Sequence, residues 1–481
     1  FIHSLHLGSN QLTDMAVGRL IVETMRSETC NIATLDLNNN EIGAGVITQA
    51  IKYNKSLTCL DITGNPQIED RGLGMIGEFL LQTHCSCKLR FISCFAFMVK
   101  EGDPNGLQLY DETIGAGAMR LLCGIFKYND LIEKLDLSGK GVETDAAKVF
   151  ATSVKHNVTL KSIDLSTNPI SDVSMYTTGK DPCDTNGLKE LAEAVNVNVS
   201  LLAITLDGGK LPVDELKGEQ AEKKVKYLDM SKKSLGYVSA IFIGTLLRGN
   251  NNVTELILHS NELTPNGVTF IVKQLQPTLK TLDISNTIVV EERDKKGDKK
   301  GDKKNAAAAV PVSIVQPEQV ESLWAAVVTL GSLEKLTMDR DHLKDIKDLG
   351  RMLSLKTLSL SNNKLSVLPD DISRIRGLKH LTLSGNQLKV LTSAISECEL
   401  LERLDLKSNQ LRYLPATISR LRNLKLLDAS ENFLTTIEPS LCDLHDLEKL
   451  DVKDNPLERP PASVARQGLG AIRKHFQEVM I

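Results

Sequence analysis

The chain has few aromatic residues, little net charge and no long apolar run. Aromatics make up 4% of its 481 residues and include one tryptophan, Trp324, which argues against base-stacking platforms and large aromatic cores. The formal net charge of −4 argues against a surface that binds nucleic acid in general. No apolar run reaches the roughly 18 residues that a membrane-spanning helix needs. The sequence therefore predicts a globular chain without a transmembrane helix.

The nine cysteines are scattered along the chain and odd in number. Their positions are Cys30, Cys59, Cys85, Cys87, Cys94, Cys123, Cys183, Cys398 and Cys442. This distribution favours reduced, mostly buried thiols in an intracellular protein over a disulfide scaffold. Cys85-Ser-Cys87 has the residue types of a metal ligand pair, but no second pair follows at zinc-site spacing. No metal site is therefore predicted.

The short motifs that carry phosphate binding or catalysis are also missing. The chain contains no G-x-x-x-x-G-K-[ST] loop, no H-E-x-x-H and no G-x-S-x-G elbow. His84 precedes Cys85, but a nucleophilic pair needs a third, orienting group and a pocket, and the sequence indicates neither. We therefore expect a non-enzymatic protein that has no cofactor.

One phrase, L-x-L-x-x-N-x-L, recurs along nearly the whole chain. Clear copies begin at Leu5, Leu35, Ile163, Leu256, Leu358, Leu381, Leu404, Leu427 and Leu450. Weaker copies begin at Leu60, Leu89, Leu135, Ile204, Leu228, Leu282 and Leu336. The phrase resembles the leucine-rich repeat, of which about sixteen copies are present by that template. The resemblance implies an α/β fold, a curved solenoid with parallel strands on its concave face and helices, then 3₁₀ or extended segments, on its convex face.

Repeat length divides the chain into two classes. The steps between Asn10, Asn40 and Asn65 are 30 and 25 residues, but the step is 23 from Asn363 onward. The long repeats carry a helical pattern after the strand and resemble ribonuclease-inhibitor-type repeats. The short repeats read L-P-x-x-I-x-x-L-x-x-L and resemble the Ras-suppressor-like class. We predict long repeats over 1–290, a charged junction insertion over 291–317, short repeats over 318–458 and a capping helix over 459–481.

The asparagine of each repeat is expected to turn the chain away from the strand. Its side-chain amide can bond the backbone of neighbouring coils, so that successive asparagines form a ladder inside the stack. The predicted ladder positions are Asn10, Asn40, Asn65, Asn168, Asn261, Asn363, Asn386, Asn409, Asn432 and Asn455. Other residues in this position indicate irregular coils: Cys94, Lys140, Gly209, Lys233, Thr287 and Asp341.

A second set of polar residues lies between the two leucines of the phrase. Because side chains alternate along a strand, this position points out of the concave face. It is aspartate in nine coils: Asp36, Asp61, Asp136, Asp164, Asp229, Asp283, Asp405, Asp428 and Asp451. Strands lie about 4.8 Å apart, so these residues predict an interrupted acidic stripe that would attract a basic partner. The alternative is that aspartate is frequent in the repeat itself and that neighbouring lysines dilute the field.

Three segments interrupt the repeat. We expect residues 98–113 and 171–186 to form loops on one side of the array, and both a partner-binding role and a neutral surface role stay open. Residues 291–317 include the tract RDKKGDKKGDKK, whose basic excess of four is halved by Glu291 and Glu292, and docking of an acidic partner there stays open as an alternative. That tract has no interleaved aromatic for base stacking, so we predict a flexible insertion rather than a nucleic-acid arm.

The two ends of the array differ. The last residues predict an amphipathic helix that covers the final coil with Val464, Leu469, Ile472 and Phe476. The chain begins at Phe1 without a comparable cap, so we expect that a further segment precedes it.

Four N-x-[ST] triplets begin at Asn54, Asn157, Asn198 and Asn252. Each stands between a predicted helix and the next strand. We interpret them as turns, since asparagine tolerates left-handed backbone conformations, and not as glycosylation sites.

These features together predict a protein-interaction scaffold that is a subunit of a larger intracellular assembly, either cytoplasmic or associated with the cytoskeleton. Its partners would be other proteins, including a basic or multi-subunit one, and neither nucleic acid nor a membrane span. Two alternatives rest on the resemblance: a regulator of an enzyme or small GTPase, and the sensor part of a larger receptor or GTPase-linked protein.

Overall fold

The computed structural model describes residues 2–170, 185–218, 224–288 and 316–479. Two compact units divide the chain, one formed by residues 1–219 and 241–246 and the other by residues 220–240 and 247–481. The predicted segments 171–186 and 291–317 lie outside the described residues, except for their last two residues in each case.

The strands of the first unit form two sheets. The six-stranded sheet has the order β1 (Ser4–His6), β2 (Thr34–Asp36), β3 (Cys59–Asp61), β4 (Phe91–Ser93), β5 (Phe97–Val99) and β6 (Leu107–Leu109). The four-stranded sheet contains β7 (Lys134–Asp136), β8 (Ser162–Asp164), β9 (Ala203–Thr205) and β10 (Lys210–Pro212). Strands β1 to β4 and β7 to β9 are parallel, whereas β5, β6 and β10 return antiparallel to their neighbours.

Helices follow the strands of the first unit. A π-helical turn spans Asp14–Gly18, and the helices are α1 (Arg19–Arg26), α2 (Ala44–Lys52), α3 (Asp70–Leu81), α4 (Ala116–Phe126), α5 (Thr144–His156), α6 (Asn186–Val197) and α7 (Val213–Lys217). The apolar side of each helix packs inward because its residues recur at helical spacing, as with the buried Leu121, Leu122 and Ile125 of α4. Asp70 of α3 accepts hydrogen bonds from the backbone N–H groups of Gly117 and Ala118, which caps the start of α4.

The second unit contains one nine-stranded parallel sheet. Its strands are β11 (Tyr227–Asp229), β12 (Glu255–Ile257), β13 (Thr281–Asp283), β14 (Lys335–Thr337), β15 (Thr357–Ser359), β16 (His380–Thr382), β17 (Arg403–Asp405), β18 (Leu426–Asp428) and β19 (Lys449–Asp451). The central residue of every strand is a buried leucine that pairs with the leucine of the next strand, from Leu228 to Leu450. A single register therefore runs through the sheet, and the predicted α/β repeat fold is confirmed.

The outer segments of the coils change along the chain. Helices α8 (Tyr237–Leu247), which contributes residues to both units, α9 (Thr264–Val272) and α10 (Pro317–Val327) come first. Short 3₁₀ segments follow, at Leu349–Arg351, Asp370–Arg374, Ser393–Glu397, Ala416–Arg420 and Pro439–Asp443. Trp324 of α10 is buried, as expected, and its indole Nε1 donates to the carbonyl oxygen of Lys347 at 2.7 Å. Pro369 and Pro415 directly precede two of the 3₁₀ segments, where they discourage a longer helix.

The prediction that residues 98–113 form a loop is wrong for the five residues that belong to β5 and β6. β5 and β6 form an antiparallel hairpin that pairs with the edge of β4. Phe97 and Val99 of this hairpin are buried, so the segment extends the sheet and the core instead of leaving the array. Cys94 takes the ladder position of this coil, and its thiol donates to the Phe97 carbonyl at 3.2 Å.

The chain ends with helices α11 (Ala462–Ala465) and α12 (Leu469–Val479). Ile472 and Phe476 are buried, and Arg473 donates to the carbonyl oxygen of Leu444 at 2.6 Å, so α12 covers the last coil. Val464 and Leu469, which are also expected to cover the last coil, are half-exposed. Ala465 is buried in their place, since α11 and α12 are separate helices and do not share one apolar face.

Candidate functional site

The nine aspartates predicted to form an acidic stripe all lie on the side of the strands opposite the buried leucines. They are half-exposed or exposed. Three groups have neighbours in register: Asp36 with Asp61, Asp136 with Asp164, and Asp405 with Asp428 and then Asp451. Ser93, Thr205, Ile257, Thr337, Ser359 and Thr382 fill the intervening positions. Among the strands that the structure describes, only the group in β17 to β19 joins three carboxylates on consecutive strands.

Each of the nine aspartates also has a structural contact that sequence reasoning missed. The Oδ1 atom accepts a hydrogen bond from the backbone N–H two residues later, at 2.9 to 3.2 Å. This local bond satisfies a backbone donor where the strand ends and the turn begins. Aspartate therefore recurs at this position partly because its Oδ1 atom stabilises the turn after the strand. The second carboxylate oxygen, Oδ2, does not take part in this bond.

The second oxygens of the three-carboxylate group are in different surroundings. Oδ2 of Asp405 and of Asp428 has no hydrogen-bond or ion-pair partner among the residues that the structure describes, whereas Oδ2 of Asp451 lies 3.7 Å from Lys453 Nζ. Burial, with the neighbouring charge of Asp428, raises the pKa of Asp405. A positive charge placed over this group would therefore relieve repulsion between carboxylates.

The stripe is not electrostatically uniform. Hydrogen bonds from Ser138 lower the pKa of Asp136, and hydrogen bonds from Ser231 lower the pKa of Asp229. These two carboxylates are already stabilised as anions by local donors. They have less to gain from an external cation than Asp405 has.

Lysines and glutamates beside the strands form ion pairs in rows across the coils. Glu334 lies between Lys280 and Lys356, with Nζ–Oε distances of 3.7 and 2.6 Å. Glu402 lies in the same way between Lys379 and Lys425, at 3.3 and 3.0 Å. Ion pairs such as these lower the pKa of both glutamates. Because each of these glutamates is shared by two lysines, each group of three keeps an excess of one positive charge.

The predicted asparagine ladder connects adjacent coils through side-chain amides. In nine of the ten cases Nδ2 donates both to the carbonyl three residues earlier and to the corresponding carbonyl of the preceding coil, as Asn409 does to Leu406 and Leu383 at 3.0 and 2.9 Å. The same pair of bonds is made by Asn40, Asn65, Asn168, Asn261, Asn363, Asn386, Asn432 and Asn455. Asn10 differs: it is exposed, and its Nδ2 donates to Gly8 within its own coil.

A second buried asparagine ladder lies at the other end of the strands, where the outer helices of the long coils lead into the next strand. Asn157 Nδ2 donates to the carbonyls of Phe126 and Asn129 at 2.7 and 3.0 Å, while Oδ1 accepts from the N–H groups of Thr159 and Leu160. Asn54, Asn129 and Asn198 make corresponding bonds.

Three of the four N-x-[ST] triplets are members of this second ladder. Asn54, Asn157 and Asn198 are buried, so the interpretation as turns is supported, but the reason given from the sequence was wrong. None of the three has a positive φ; they act through their amides. Their signal is an asparagine three residues before a buried apolar residue, which also identifies Asn129 before Ile132. The fourth triplet differs, because the residue with this spacing is Asn250, two residues before the triplet begins at Asn252. The Oδ1 atom of Asn250 accepts from the backbone N–H groups of Asn252 and Val253.

The first asparagine ladder, at the strand ends, is interrupted in the two coils that contain β13 and β14. Thr287 and Asp341 occupy the two ladder positions, and both are fully buried. Asp341 Oδ1 accepts from the Thr287 backbone N–H at 3.0 Å, but Oδ2 has no hydrogen-bond partner among the described residues. Burial raises the pKa of Asp341 well above its usual value. This carboxyl group is therefore protonated under conditions in which an exposed aspartate is charged.

The described cysteines are free thiols. Burial raises the pKa to about 12 for Cys87 and Cys123, and to about 11 for Cys59, Cys94 and Cys398. Such thiols carry little thiolate at neutral pH and are poor nucleophiles. Within the described residues, no group of three or more His, Cys, Asp or Glu side chains is arranged to hold a metal ion.

No helix in the described part of the chain is long and apolar enough to cross a membrane.

Comparison with known families matches parts of the chain to two leucine-rich-repeat models. One model, described as leucine rich repeat, matches residues 331–388, 354–411 and 399–457. A second, also described as leucine rich repeat, matches residues 53–77, 156–176 and 249–272. The matches lie in both the long and the short coils.

Curated relatives include ribonuclease inhibitors. The chain is 26% identical over 317 residues to the ribonuclease inhibitor of Sus scrofa, covering 58% of this chain and 69% of that protein. It is 25% identical over 312 residues to that of Mus musculus, covering 56% and 67%. It is also 26% identical over 186 residues to the human NACHT, LRR and PYD domains-containing protein 5, but this covers only 36% of the chain and 15% of that protein.

Solved structures with a similar arrangement include a Leptospira interrogans LRR protein. It is 19% identical, and the alignment covers 93% of this chain and 96% of that one with a TM-score of 0.39. The functional domain of InlJ from Listeria monocytogenes is 21% identical, with coverage of 57% and 51% and a TM-score of 0.35.

Proposed function

Because the chain is a leucine-rich-repeat protein, we propose that it is a non-enzymatic protein-binding subunit of a larger assembly and that it binds through the exposed face of its strands. Leucines and ladder asparagines occupy the interior of the coils, where they hold the fold together. The exposed strand positions lie in register over many coils and present side chains at regular spacing. A repeated array of this kind suits the recognition of another protein better than the enclosure of a small molecule.

The observation that carries this proposal is the row formed by Asp405, Asp428 and Asp451. Three carboxylates stand on consecutive strands, about 4.8 Å apart. Two of them have an unpartnered oxygen, and the pKa of Asp405 is raised by burial and by its neighbour. A basic segment of a partner protein would supply the missing positive charge, so this row is the proposed centre of the interface.

The first test neutralises the row without disturbing the turns. Asp405→Asn, Asp428→Asn and Asp451→Asn together keep the Oδ1 atoms that accept from the backbone N–H groups, and remove only the charges. The immobilised full chain is used to capture proteins from a native extract of the source cells. We expect proteins that the wild-type chain retains at low salt to be lost with the triple variant.

A matched control makes the same change of charge on the outer side of the coils. Glu397→Gln, Glu399→Gln and Asp443→Asn alter exposed residues in or beside the 3₁₀ segments. This control should retain the wild-type partners. If the aspartate variant retains them as well, the proposed surface is wrong, and if the wild-type chain retains no protein, the proposed function is wrong.

A second candidate function is the inhibition of an enzyme. It is supported by the similarity to two ribonuclease inhibitors, which covers about two thirds of their length. Titration of pancreatic ribonuclease with the full chain tests it directly: a stoichiometric loss of ribonuclease activity would establish inhibition. Unchanged activity at a chain concentration of about 10 μM, where complexes of ordinary affinity form, would remove this candidate.

Two further proposals concern a larger protein of which the chain is a part and its location in the cell. The similarity to a NACHT, LRR and PYD domains-containing protein keeps open a role as the sensor part of a larger receptor, although the match spans a small fraction of that relative. We also propose an intracellular location, cytoplasmic or cytoskeleton-associated, supported by the buried free thiols with raised pKa values, because reducing compartments keep cysteines in this state.

A further inference from the structure

The segment that follows the ladder asparagine runs along the flank of the short coils, beside the strand face. Adjacent coils are hydrogen-bonded here: the N–H groups of Gln387, Gln410 and Phe433 donate to the carbonyls of Leu365, Leu388 and Leu411, each at 2.9 Å. The flank segments of four successive coils therefore lie side by side. Equivalent residues stand next to each other in rows that cross the coils.

One of these rows is apolar and exposed. Val367, Val390 and Tyr413 occupy the same position of three successive 23-residue coils, and 64, 47 and 52% of their surfaces are exposed. In the next coil the equivalent residue is Thr436, and Phe433, three residues before it, is 57% exposed. The three residues of the row form an apolar strip across neighbouring coils, and Phe433 adds a further exposed apolar side chain in the fourth coil. We call Val367, Val390, Tyr413 and Phe433, with the two cations described next, the flank surface.

The flank surface also has two cations without partners. Lys389 and Arg412 directly precede Val390 and Tyr413 in the chain, and both are exposed. Neither has an ion pair or a side-chain hydrogen bond among the residues that the structure describes. This contrasts with the strand face of the same coils, where Lys379, Lys407 and Lys425 are all paired with glutamates.

Two acidic residues of these coils are engaged elsewhere, whereas Glu438 and Glu458 of the following coils are exposed. Glu431 pairs with Lys407 at 3.1 Å and accepts from the Ser408 hydroxyl. Asp370 accepts from the Thr392 hydroxyl. The surface thus combines an apolar strip with two cations that have no ion pair within the described part of the chain, which is the complement of a segment with both acidic and apolar side chains.

We propose that the flank surface is a second docking site, which binds an extended acidic segment with interspersed apolar side chains from a partner protein. The apolar side chains of that segment lie on the strip, and its carboxylates pair with Lys389 and Arg412. Arg412 is suited to this pairing because its planar guanidinium can bind a carboxylate with two hydrogen bonds. A partner with a basic patch for the strand face and an acidic segment for the flank would contact both surfaces of the same coils.

Single-stranded nucleic acid is the competing ligand, because Tyr413 and Phe433 could stack on bases and the cations could contact phosphates. The valines favour the peptide, since aliphatic side chains offer apolar contact but no ring for base stacking. Two cations also offer few phosphate contacts. The peptide is therefore the ligand that the composition of the surface fits best.

The test uses a fluorescein-labelled synthetic peptide of about eight residues, with glutamates alternating with leucine or phenylalanine. Four coils about 4.8 Å apart span about 14 Å, which an extended chain of this length covers at about 3.3 Å per residue. Fluorescence anisotropy with the full chain should show saturable binding that weakens with added salt. Replacing the glutamates of the peptide by lysine should abolish it.

Two variants test the cations and the strip separately. Lys389→Glu with Arg412→Glu, and Val390→Ser with Tyr413→Ser, should each weaken binding of the peptide about tenfold or more. Matched controls are Lys335→Glu with Lys449→Glu on the strand face, and Leu353→Ser with Leu400→Ser at exposed positions outside the flank surface. The controls should bind as the wild-type chain does, and the fluorescence of the buried Trp324 verifies that each variant is folded.

Three results would overturn the proposal. The first is an absence of peptide binding by the folded wild-type chain. The second is equal binding by the flank variants and their controls. The third is displacement of the peptide by an oligouridine strand that itself binds more tightly, which would favour nucleic acid. The variant neutralised at Asp405, Asp428 and Asp451 should bind the peptide normally, so failure here is distinguishable from failure of the strand-face proposal.

Discussion

Asp341 shows how one residue can alter the ladder on which the coils depend. In the surrounding coils an asparagine uses Oδ1 as an acceptor and Nδ2 as a donor to two carbonyls, as Asn363 does. Asp341 keeps the acceptor, which bonds to Thr287, but places an oxygen where the donor should be. A carboxylate there would face acceptors without a proton to share. The raised pKa of Asp341 follows from this burial, and the protonated form is the one that suits the site.

We predict that Asp341→Asn stabilises the protein and changes the dependence of its stability on pH. The folded-state pKa is raised above the ordinary value of 3.8, so the folded chain binds more protons than the unfolded chain. The contribution of Asp341 is therefore fully present below about pH 4 and is lost as the pH rises through the folded-state pKa. At pH 7 the asparagine variant should gain about 1–2 kcal/mol in the free energy of unfolding, because the amide restores a donor.

Urea denaturation followed by Trp324 fluorescence, at a series of pH values from 4 to 9, measures this difference. Trp324 is the only tryptophan and lies in the same unit as Asp341. The difference in stability between the variant and the wild-type chain should grow with pH. A constant difference, or a loss of stability at pH 7, would show that Asp341 is not protonated in the folded state.

Elements within the long coils are joined by two ladders rather than one. The asparagines at the strand ends bond coil to coil on one side of each strand, and those at the helix exits do so on the other. Both work because one amide satisfies backbone donors and acceptors that the turns leave buried. The short 23-residue coils have 3₁₀ segments instead of helices and reach the next strand within fewer residues.

We predict that Asn157→Ala lowers the free energy of unfolding by about 1–3 kcal/mol, because the carbonyls of Phe126 and Asn129 and two backbone N–H groups lose their buried partner. Val158→Ala is the matched control, since Val158 is exposed and adjacent, and should change stability by less than about 0.5 kcal/mol. Circular dichroism during urea denaturation measures both. Equal effects of the two substitutions would argue that the second ladder is not a stabilising feature.

At the scale of the whole molecule, an array of coils must close its open end. Each coil buries its interior against its neighbours, so the last coil depends on a cap. Helix α12 provides it with Ile472 and Phe476, and Arg473 adds hydrogen bonds to the carbonyls of Leu444 and Leu447.

We predict that Ile472→Ser with Phe476→Ser lowers the melting temperature and promotes self-association, because the apolar interior of the last coil is then exposed. Thermal unfolding and light scattering coupled to size exclusion measure these two effects. Val464→Ser is the control, since Val464 is half-exposed and does not complete the cap. A double variant that melts and elutes like the control would show that α12 is not required to close the array.

The sequence by itself determined the repeated α/β fold. Each repeat has leucines at every second position of a short strand and an asparagine at the following turn, and stacking the coils buries both kinds of residue. Leu228 to Leu450 stack in the expected register, and the ladder asparagines bond adjacent coils. The change from outer helices to 3₁₀ segments also follows the shortening of the repeat. The acidic stripe could be located by the same alternation, and its role in binding stays a prediction.

Tertiary structure alone decided which polar residues are committed to the fold. The Oδ1 atom of each stripe aspartate is bound to a turn, the N-x-[ST] asparagines are buried, and residues 97–109 pair as a hairpin instead of forming a loop. Asn39, Thr167 and Glu431 each directly precede a ladder position and have a positive φ. None of them is a glycine, so the residue type does not indicate this backbone conformation. For the buried asparagines the physical reason is that their carbonyl partners belong to another coil, so these contacts exist only once the coils are stacked.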